Sequence, residues 1–109
     1  MSRNRDMGGA DETAPDWQRL DKWLWFARVI RTREAAAELA ESGHVRVNGQ
    51  RALSAARPVR LGDVLTVSLD RRVLVLRVSG FAARRERYEQ ARLLYENMGD
   101  SLSAGDLRD

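Results

Sequence analysis

The sequence has no cysteine, one histidine and two prolines among its 109 residues. The absence of cysteine excludes disulfide bonds, thiolate zinc sites and thiol nucleophiles. A single histidine, His44, excludes clusters of histidine ligands around a metal and most histidine-based general-base arrangements. No apolar run approaches the ~20 residues that span a bilayer, and the N-terminus lacks the apolar core of a signal peptide. We therefore expect a cytoplasmic protein that does not insert into membranes.

Signatures of catalysis are missing as well. The sequence has no Ser-His-Asp set, no phosphate-binding glycine loop and no deaminase motif. No residue needs a reaction or a cofactor to explain its presence. The prediction is a protein that is not an enzyme, without catalytic residues, cofactor or metal.

What the chain has in excess is positive charge in its middle. Residues 17–92 carry 16 basic and 8 acidic side chains, a net charge of +8, whereas residues 1–16 and 93–109 are net acidic. The overall composition, 43% hydrophobic and 32% charged, is typical of one small globular domain. A basic segment of this kind predicts binding to a polyanion.

Helical spacing predicts two helices. Residues 1–16 are polar and predict a disordered leader, with Asp16 as a candidate N-cap. A first helix is expected over 17–30, and a second between the N-cap Thr32 and the terminating Gly43. The first helix has a core face that consists of Leu20, Trp23, Leu24, Ala27 and Ile30. Trp25 and Phe26, next to this face, fit either the core or stacking on unpaired bases.

Beyond Gly43 the apolar residues alternate. Val45 and Val47 predict a short strand that leads into the turn Asn48-Gly49. A loop is expected over 50–60, followed by a hairpin of two strands, 64–69 and 73–78. The predicted domain thus covers 17–80, and 81–109 is expected to form a charged helix (84–96) and a frayed tail (99–109).

Two groups of polar residues are candidate contacts for a polyanion. The N-terminus of the second helix favours phosphate, and Arg33 there would add a planar fork. Arg33 could equally pair with acidic neighbours, and the residues alone leave both interpretations open. His44, Arg46 and Asn48 alternate with the valines, so they share the outer side of the strand. Asn-Gly is also a favoured turn pair for conformational reasons alone.

The motifs occur in an order that resembles the S-four-type RNA-binding domain. They are Arg19-Leu20-Asp21-Lys22, Thr32-Arg33 followed by alanines, Gly43-His44-Val45-Arg46-Val47-Asn48-Gly49, and Gly62-Asp63. A narrower resemblance, to the bacterial ribosome-associated heat-shock proteins of about fifteen kilodaltons, lies in Asp21-Lys22-Trp23-Leu24-Trp25 and Ala91-Arg92-Leu93-Leu94-Tyr95-Glu96. That family usually ends in a longer and more basic tail than residues 93–109.

This resemblance implies an α+β fold, the small αL RNA-binding motif. In it, two N-terminal helices pack on a short, mostly antiparallel sheet, here with a C-terminal helical extension. It also implies binding to ribosomal RNA of large ribosomal subunits that carry a stalled nascent chain on tRNA, in a heat-shock-linked rescue or recycling role. The simplest state is a monomer. The resemblance and the basic segment together predict RNA contacts by Arg19, Lys22, Arg28, Arg31, Thr32, Arg33, His44, Arg46, Asn48 and Arg51.

Other functions also fit parts of the sequence. An S-four-type domain also serves as an accessory module, so the chain could direct a separate RNA-modifying enzyme to its RNA or act in ribosome assembly. A basic module could instead bind DNA or an anionic membrane surface. The membrane alternative conflicts with the first helix, whose apolar face is committed to a core.

Overall fold

The computed structural model describes residues 16–85 and 87–102. Its principal helices are α1 (Leu20–Phe26) and α2 (Arg33–Glu41), and a single turn, α3 (Tyr88–Ala91), continues as a 3₁₀ turn over Arg92–Leu94. The strands are β1 (Trp17–Arg19), β2 (Val45–Val47), β3 (Gln50–Ala52), β4 (Pro58–Arg60), β5 (Val64–Ser68), β6 (Arg72–Val78) and β7 (Tyr95–Leu102).

The strands form two antiparallel sheets. The larger sheet has five strands in the order β3-β2-β5-β6-β7, and the smaller pairs β1 with β4. In β2 and β5 the burial alternates residue by residue, as a sheet with one covered face requires. Asn48 and Gly49 between β2 and β3 both have positive φ, 53° and 85°, which is the conformation of a type I′ hairpin turn.

One apolar core joins the helices to the large sheet. Trp23 of α1 is fully buried, and its indole N–H donates to the Gly80 carbonyl oxygen at 3.0 Å. The Gln18 amide nitrogen in β1 likewise donates to the Ala82 carbonyl oxygen at 2.7 Å. These two bonds fasten the segment after β6 to the start of the domain. The α+β class, with two helices packed on a mostly antiparallel sheet, is therefore confirmed.

The first helix is shorter than predicted. It begins at Leu20 rather than after Asp16, because β1 pairs with β4 and holds residues 17–19 extended. It ends at Phe26, and Arg28 then takes a left-handed conformation with φ 60°. The predicted core face is nevertheless correct, since Ala27 and Ile30 remain buried in the turn that follows.

The predicted loop over 50–60 contains two short strands. Residues 50–52 form β3 because the Asn48-Gly49 turn reverses the chain onto β2. Residues 58–60 form β4, whose partner β1 lies far away in sequence, so no local pattern indicates it.

The prediction of a helix over 84–96 and a frayed tail from 99 was wrong in its extent. Helical structure covers only 88–94, and residues 95–102 form β7. Ala91 and Leu94 do lie in these helical turns, and both are buried. Tyr95 instead pairs with Val78, because β6 would otherwise present an unpaired edge.

Some predictions fall partly outside the described residues. The leader over 1–16 does so except for Asp16, and so does the tail from 103 onward. Among the residues described, no helix has the length and apolar character needed to cross a bilayer.

Candidate nucleic-acid interface

A buried carboxylate organises the first group of basic residues. Asp21, in the first turn of α1, has a side chain that is only 5% exposed. The Arg19 Nε and Nη2 atoms donate to its two oxygens at 3.0 and 3.1 Å, and Arg33 Nε lies 3.9 Å from Oδ2. The Lys22 backbone N–H also donates to Asp21 Oδ1, at 2.7 Å. We call Arg19, Asp21, Lys22 and Arg33 the Asp21 cluster.

Both guanidinium groups of this cluster remain accessible. The Arg19 and Arg33 side chains are 45% and 44% exposed, so solvent or a ligand reaches the donors that Asp21 leaves free. The hydrogen bonds to Asp21 raise the pKa of Arg19 above its ordinary value, and the Glu41 carboxylate at the end of α2 adds to this. Asp21 thus orients the Arg19 guanidinium through two hydrogen bonds, and it attracts the Arg33 guanidinium through a longer ion pair.

Helix packing brings Arg33 to Asp21. Ala36 and Ala40 are fully buried, and these small side chains let α2 approach α1 closely. Thr32 is the N-cap, because its Oγ1 accepts from the Ala35 N–H at 3.0 Å, as predicted. An open groove of about 300 Å³ lies beside this contact and is lined by Asp21, Arg33, Glu34 and Ala37. Arg33 therefore pairs with an acidic neighbour and faces an accessible groove at once.

The second group lies on the β2–β3 hairpin. His44, Arg46 and Arg51 are exposed there, as predicted. Arg46 and Arg51 are directly opposite each other in the register of the two strands, and Arg46 Nη1 donates to the Gly49 carbonyl oxygen at 3.2 Å. Like charges in such positions repel. A bound polyanion would relieve this repulsion.

The Asn48 side chain forms hydrogen bonds within the protein. Its side-chain amide donates to Asp63 Oδ1 at 3.0 Å, and its carbonyl oxygen accepts from the Val64 N–H at 2.9 Å. Both ends of the amide therefore bind protein and tie the hairpin turn to the start of β5. His44 has a similar local partner, with its Nδ1 at 2.8 Å from the Ser42 hydroxyl.

The remaining predicted residues lie around the helix ends. Arg31 and Thr32 are exposed beside Arg33, before α2, whereas Arg28 follows α1 and lies close enough to Arg85 to affect its pKa. Sequence reasoning missed Arg85, whose guanidinium carbon lies 4.8 Å from the centre of the Trp25 ring. No local signal could have found it, because the contact joins residues far apart in the chain. Within the described part of the chain, no three His, Cys, Asp or Glu residues are placed to hold a metal ion.

Comparison with known proteins gives a consistent set of relatives. Residues 18–65 match the model of the S4 domain family. Heat shock protein 15 of Escherichia coli is 38% identical over 84 residues, which are 77% of this chain and 62% of that protein. The RQC P-site tRNA stabilizing factor of Bacillus subtilis is 33% identical over 75 residues, 69% of this chain and 86% of that protein.

A solved structure agrees with the sequence matches. The trimeric structure of heat shock protein 15 from Vibrio cholerae superposes with a TM-score of 0.70 at 30% identity. The superposition covers 84% of this chain and 87% of that one. The chain thus spans most of this structure and of the Bacillus subtilis factor, but less than two thirds of the length of the Escherichia coli protein.

Proposed function

Because this chain belongs to the S4-domain family that includes heat shock protein 15 and the RQC P-site tRNA stabilizing factor, we propose that it is an RNA-binding protein without catalytic activity. Its target is structured ribosomal RNA on large ribosomal subunits that carry a stalled nascent chain on tRNA. There it assists rescue or recycling after heat or other stress. Such a role places it in the cytoplasm.

The Asp21 cluster is the observation that carries this proposal. Two exposed arginines share one buried carboxylate, which orients the Arg19 guanidinium by hydrogen bonds and keeps the Arg33 guanidinium nearby by charge before any ligand arrives. Preorganised side chains lose less conformational entropy on binding. A planar guanidinium donates two parallel hydrogen bonds to a phosphate. The cluster therefore suits the RNA backbone.

The names of the relatives support the proposed RNA target. One relative is named as a factor that stabilises P-site tRNA, and another is named as a heat shock protein. The net charge of +8 over residues 17–92 supports a large polyanionic target. The Vibrio cholerae relative forms a trimer in its solved structure. For this chain, the monomeric state expected from the sequence remains a prediction.

Sedimentation of a cell lysate tests the proposal. The tagged protein is followed through a sucrose gradient before and after heat stress, and we expect it to migrate with free large subunits at low salt. High salt should release it, because neutralised phosphates set counterions free. Migration with small subunits or assembly particles would favour the alternative role in ribosome assembly, and a protein left at the top of the gradient would contradict the proposal.

Arg33→Ala tests the site in the same gradient. We expect it to weaken RNA binding by more than about 1 kcal/mol, the scale of a charge-assisted hydrogen bond, without unfolding the protein. Arg77→Ala is the matched control, because Arg77 lies on β6 and pairs with Glu96 at 3.7 Å. Equal loss in both variants would mean that net charge, not the Asp21 cluster, holds the RNA.

A further inference from the structure

The three tryptophans of the chain have different surroundings. The Trp23 ring is fully buried, and its indole N–H donates to a backbone carbonyl oxygen. The centre of the Trp25 ring lies 5.2 Å from the centre of the Phe26 ring and 4.8 Å from the Arg85 guanidinium carbon. Trp17 is 48% exposed, and it belongs neither to the core nor to the partly buried residues packed against it. Trp17 is therefore the tryptophan that a ligand can reach most easily.

The Trp17 ring is also uncovered by its neighbours. Within residues 16–85 and 87–102, no second aromatic ring and no cation lies over its indole. Every nucleobase has a flat face that stacks on such a ring, whatever the sequence. A base inside a duplex is already stacked between its neighbours, so an accessible aromatic ring suits an unpaired base.

Trp17 shares the outer side of the small sheet with two arginines. The middle residues of β1 and β4, Gln18 and Val59, are buried, so the residues that flank them face solvent. Arg60 is directly opposite Trp17 in the register, a position about 4.5–5.5 Å away between Cα atoms. Arg19 is two positions along β1, about 7 Å away. We call Trp17, Arg19 and Arg60 the Trp17 face.

The Trp17 face is continuous with the Asp21 cluster through Arg19. The Arg19 guanidinium donates to Asp21, yet its side chain remains 45% exposed. Arg60 is exposed as well, and it bonds Asp63 Oδ2 through its backbone N–H at 2.9 Å, which leaves its side-chain donors available. The charge of this surface is complementary to phosphate. A symmetric contact with a second copy would instead bring the same arginines together, and like charges repel.

We propose that the Trp17 face binds an unpaired nucleotide of the RNA, with the base stacked on the Trp17 indole and the flanking phosphates paired to Arg19 and Arg60. This inference rests on the RNA-binding function proposed above. It extends the Asp21 cluster onto β1 and β4, and it adds Trp17 and Arg60 as contacts. It also assigns base stacking to Trp17 rather than to Trp25, whose ring already has partners within the fold.

Trp17→Leu, compared with Trp17→Phe, is the main test. The probe is large-subunit ribosomal RNA transcribed in vitro, and affinity is measured by filter binding over a salt series. We expect Trp17→Leu to lose roughly 10-fold in affinity, the scale of one base–aromatic stack, and Trp17→Phe to keep most of it. The slope of log affinity against log salt should stay the same, because a stack neutralises no phosphate. A Trp17→Leu affinity within about 2-fold of the unsubstituted protein would overturn the proposal.

Tyr88→Leu is the matched control. Tyr88 is 57% exposed and lies on α3, outside both strands of the small sheet. Its substitution also removes an exposed aromatic ring, so we expect the RNA affinity to stay within about 2-fold of the unsubstituted protein. An equal loss in Tyr88→Leu and Trp17→Leu would mean that the Trp17 face has no special role. Thermal melting of each variant checks that the fold is retained.

Fluorescence detects the stack directly. We expect an RNA hairpin with a loop of adenosines to quench the emission of Trp17, because a nucleobase stacked on an indole quenches it. A blunt duplex with the same number of phosphates should quench less, since its bases are paired. Trp17→Phe retains Trp23 and Trp25, and its emission should change little when the hairpin is added at saturation. Equal quenching in Trp17→Phe would assign the stack to Trp25 and overturn the proposal.

Arg60→Gln tests the phosphate contact beside the ring. The salt slope should shrink by about 0.7 to 0.9, the value for one phosphate, whereas Arg60→Lys should keep it. Arg77→Gln is the control, because it removes the same charge from β6, where Arg77 pairs with Glu96 at 3.7 Å. Its slope should not change. An unchanged slope in Arg60→Gln would overturn the assignment of Arg60.

The outcomes separate this inference from the function on which it rests. If the unsubstituted protein fails to bind the ribosomal RNA, both are wrong. If it binds and Arg33→Ala weakens it, but Trp17→Leu has no effect, the Asp21 cluster stands and the Trp17 face is excluded. If Trp17→Leu changes the oligomeric state in size-exclusion chromatography and leaves the RNA affinity intact, Trp17 contacts a second copy and the inference is wrong.

Discussion

In the Asp21 cluster, two exposed arginines converge on a buried carboxylate, whereas in the β2–β3 hairpin Arg46 and Arg51 stand opposite each other on neighbouring strands. Within the described residues neither hairpin arginine forms an ion pair. The first arrangement stabilises the free protein and orients its donors. The second places like charges on neighbouring strands, and their repulsion falls when an anion binds or when salt screens it. One surface thus combines rigid positioning with charge that favours an anion.

Asp21→Asn should disrupt the Asp21 cluster, and we expect it to have the largest effect of the variants in this comparison. The variant makes the chain more positive, yet RNA binding should fall roughly 10-fold, because Arg19 and Arg33 lose the charge that orients them. The free energy of unfolding should fall by about 1–2 kcal/mol, which urea denaturation measures.

Glu38→Gln is the control for Asp21→Asn. Glu38 is an exposed acidic residue of α2, so its substitution changes the net charge equally without touching the cluster. Its RNA affinity should stay the same or rise slightly. If Asp21→Asn behaved like Glu38→Gln, the orientation of the arginines would be irrelevant and only net charge would count.

The sequence could predict the parts of this surface that depend on local order. The Thr32 N-cap, the Asn48-Gly49 turn and the core face of α1 each follow from spacing of a few residues, and all three are present in the structure. Pairing of Asp21 with a nearby arginine was also predictable, since Arg19 is two positions away.

Contacts between distant segments could not be predicted in the same way. The β1–β4 pairing, the strand β7 and the approach of Arg85 to Trp25 depend on tertiary structure, and no local pattern encodes them. The helical spacing of residues 84–96 was misleading for β7, because hydrogen bonding to the edge of β6 outweighed the local helix propensity. The predicted RNA contacts themselves remain predictions that the variants described here can test.

Asn48→Ala tests the hydrogen bonds that attach the β2–β3 hairpin to the start of β5. We expect it to change the stability of the protein rather than its RNA affinity. It removes two hydrogen bonds and places alanine at φ 53°, so we expect the free energy of unfolding to fall by about 2 kcal/mol. Asn48→Gly loses the same bonds without the backbone strain and should cost about 1 kcal/mol.

RNA binding by the two Asn48 variants decides the role of this residue. Because both ends of the amide are occupied by Asp63 and Val64, we expect the affinity of the folded variants to change by no more than about 2-fold. A 10-fold loss in both variants, with the hairpin intact, would instead make Asn48 a direct contact as the family resemblance implies.

Arg46→Gln should have the smallest effect on the free energy of unfolding, and this effect should be opposite in sign to that of Asp21→Asn. Removing one of two opposed charges should raise the free energy of unfolding by about 0.5 kcal/mol at low salt while weakening RNA binding. Added salt should erase the stability gain, because the screening length falls to about 3 Å at 1 M. Arg46→Lys keeps the repulsion and should leave stability unchanged. If Arg46→Gln lowered stability as Asp21→Asn does, the hydrogen bond from Arg46 Nη1 to the Gly49 carbonyl oxygen would outweigh the repulsion, and the two regions would present charge in the same way.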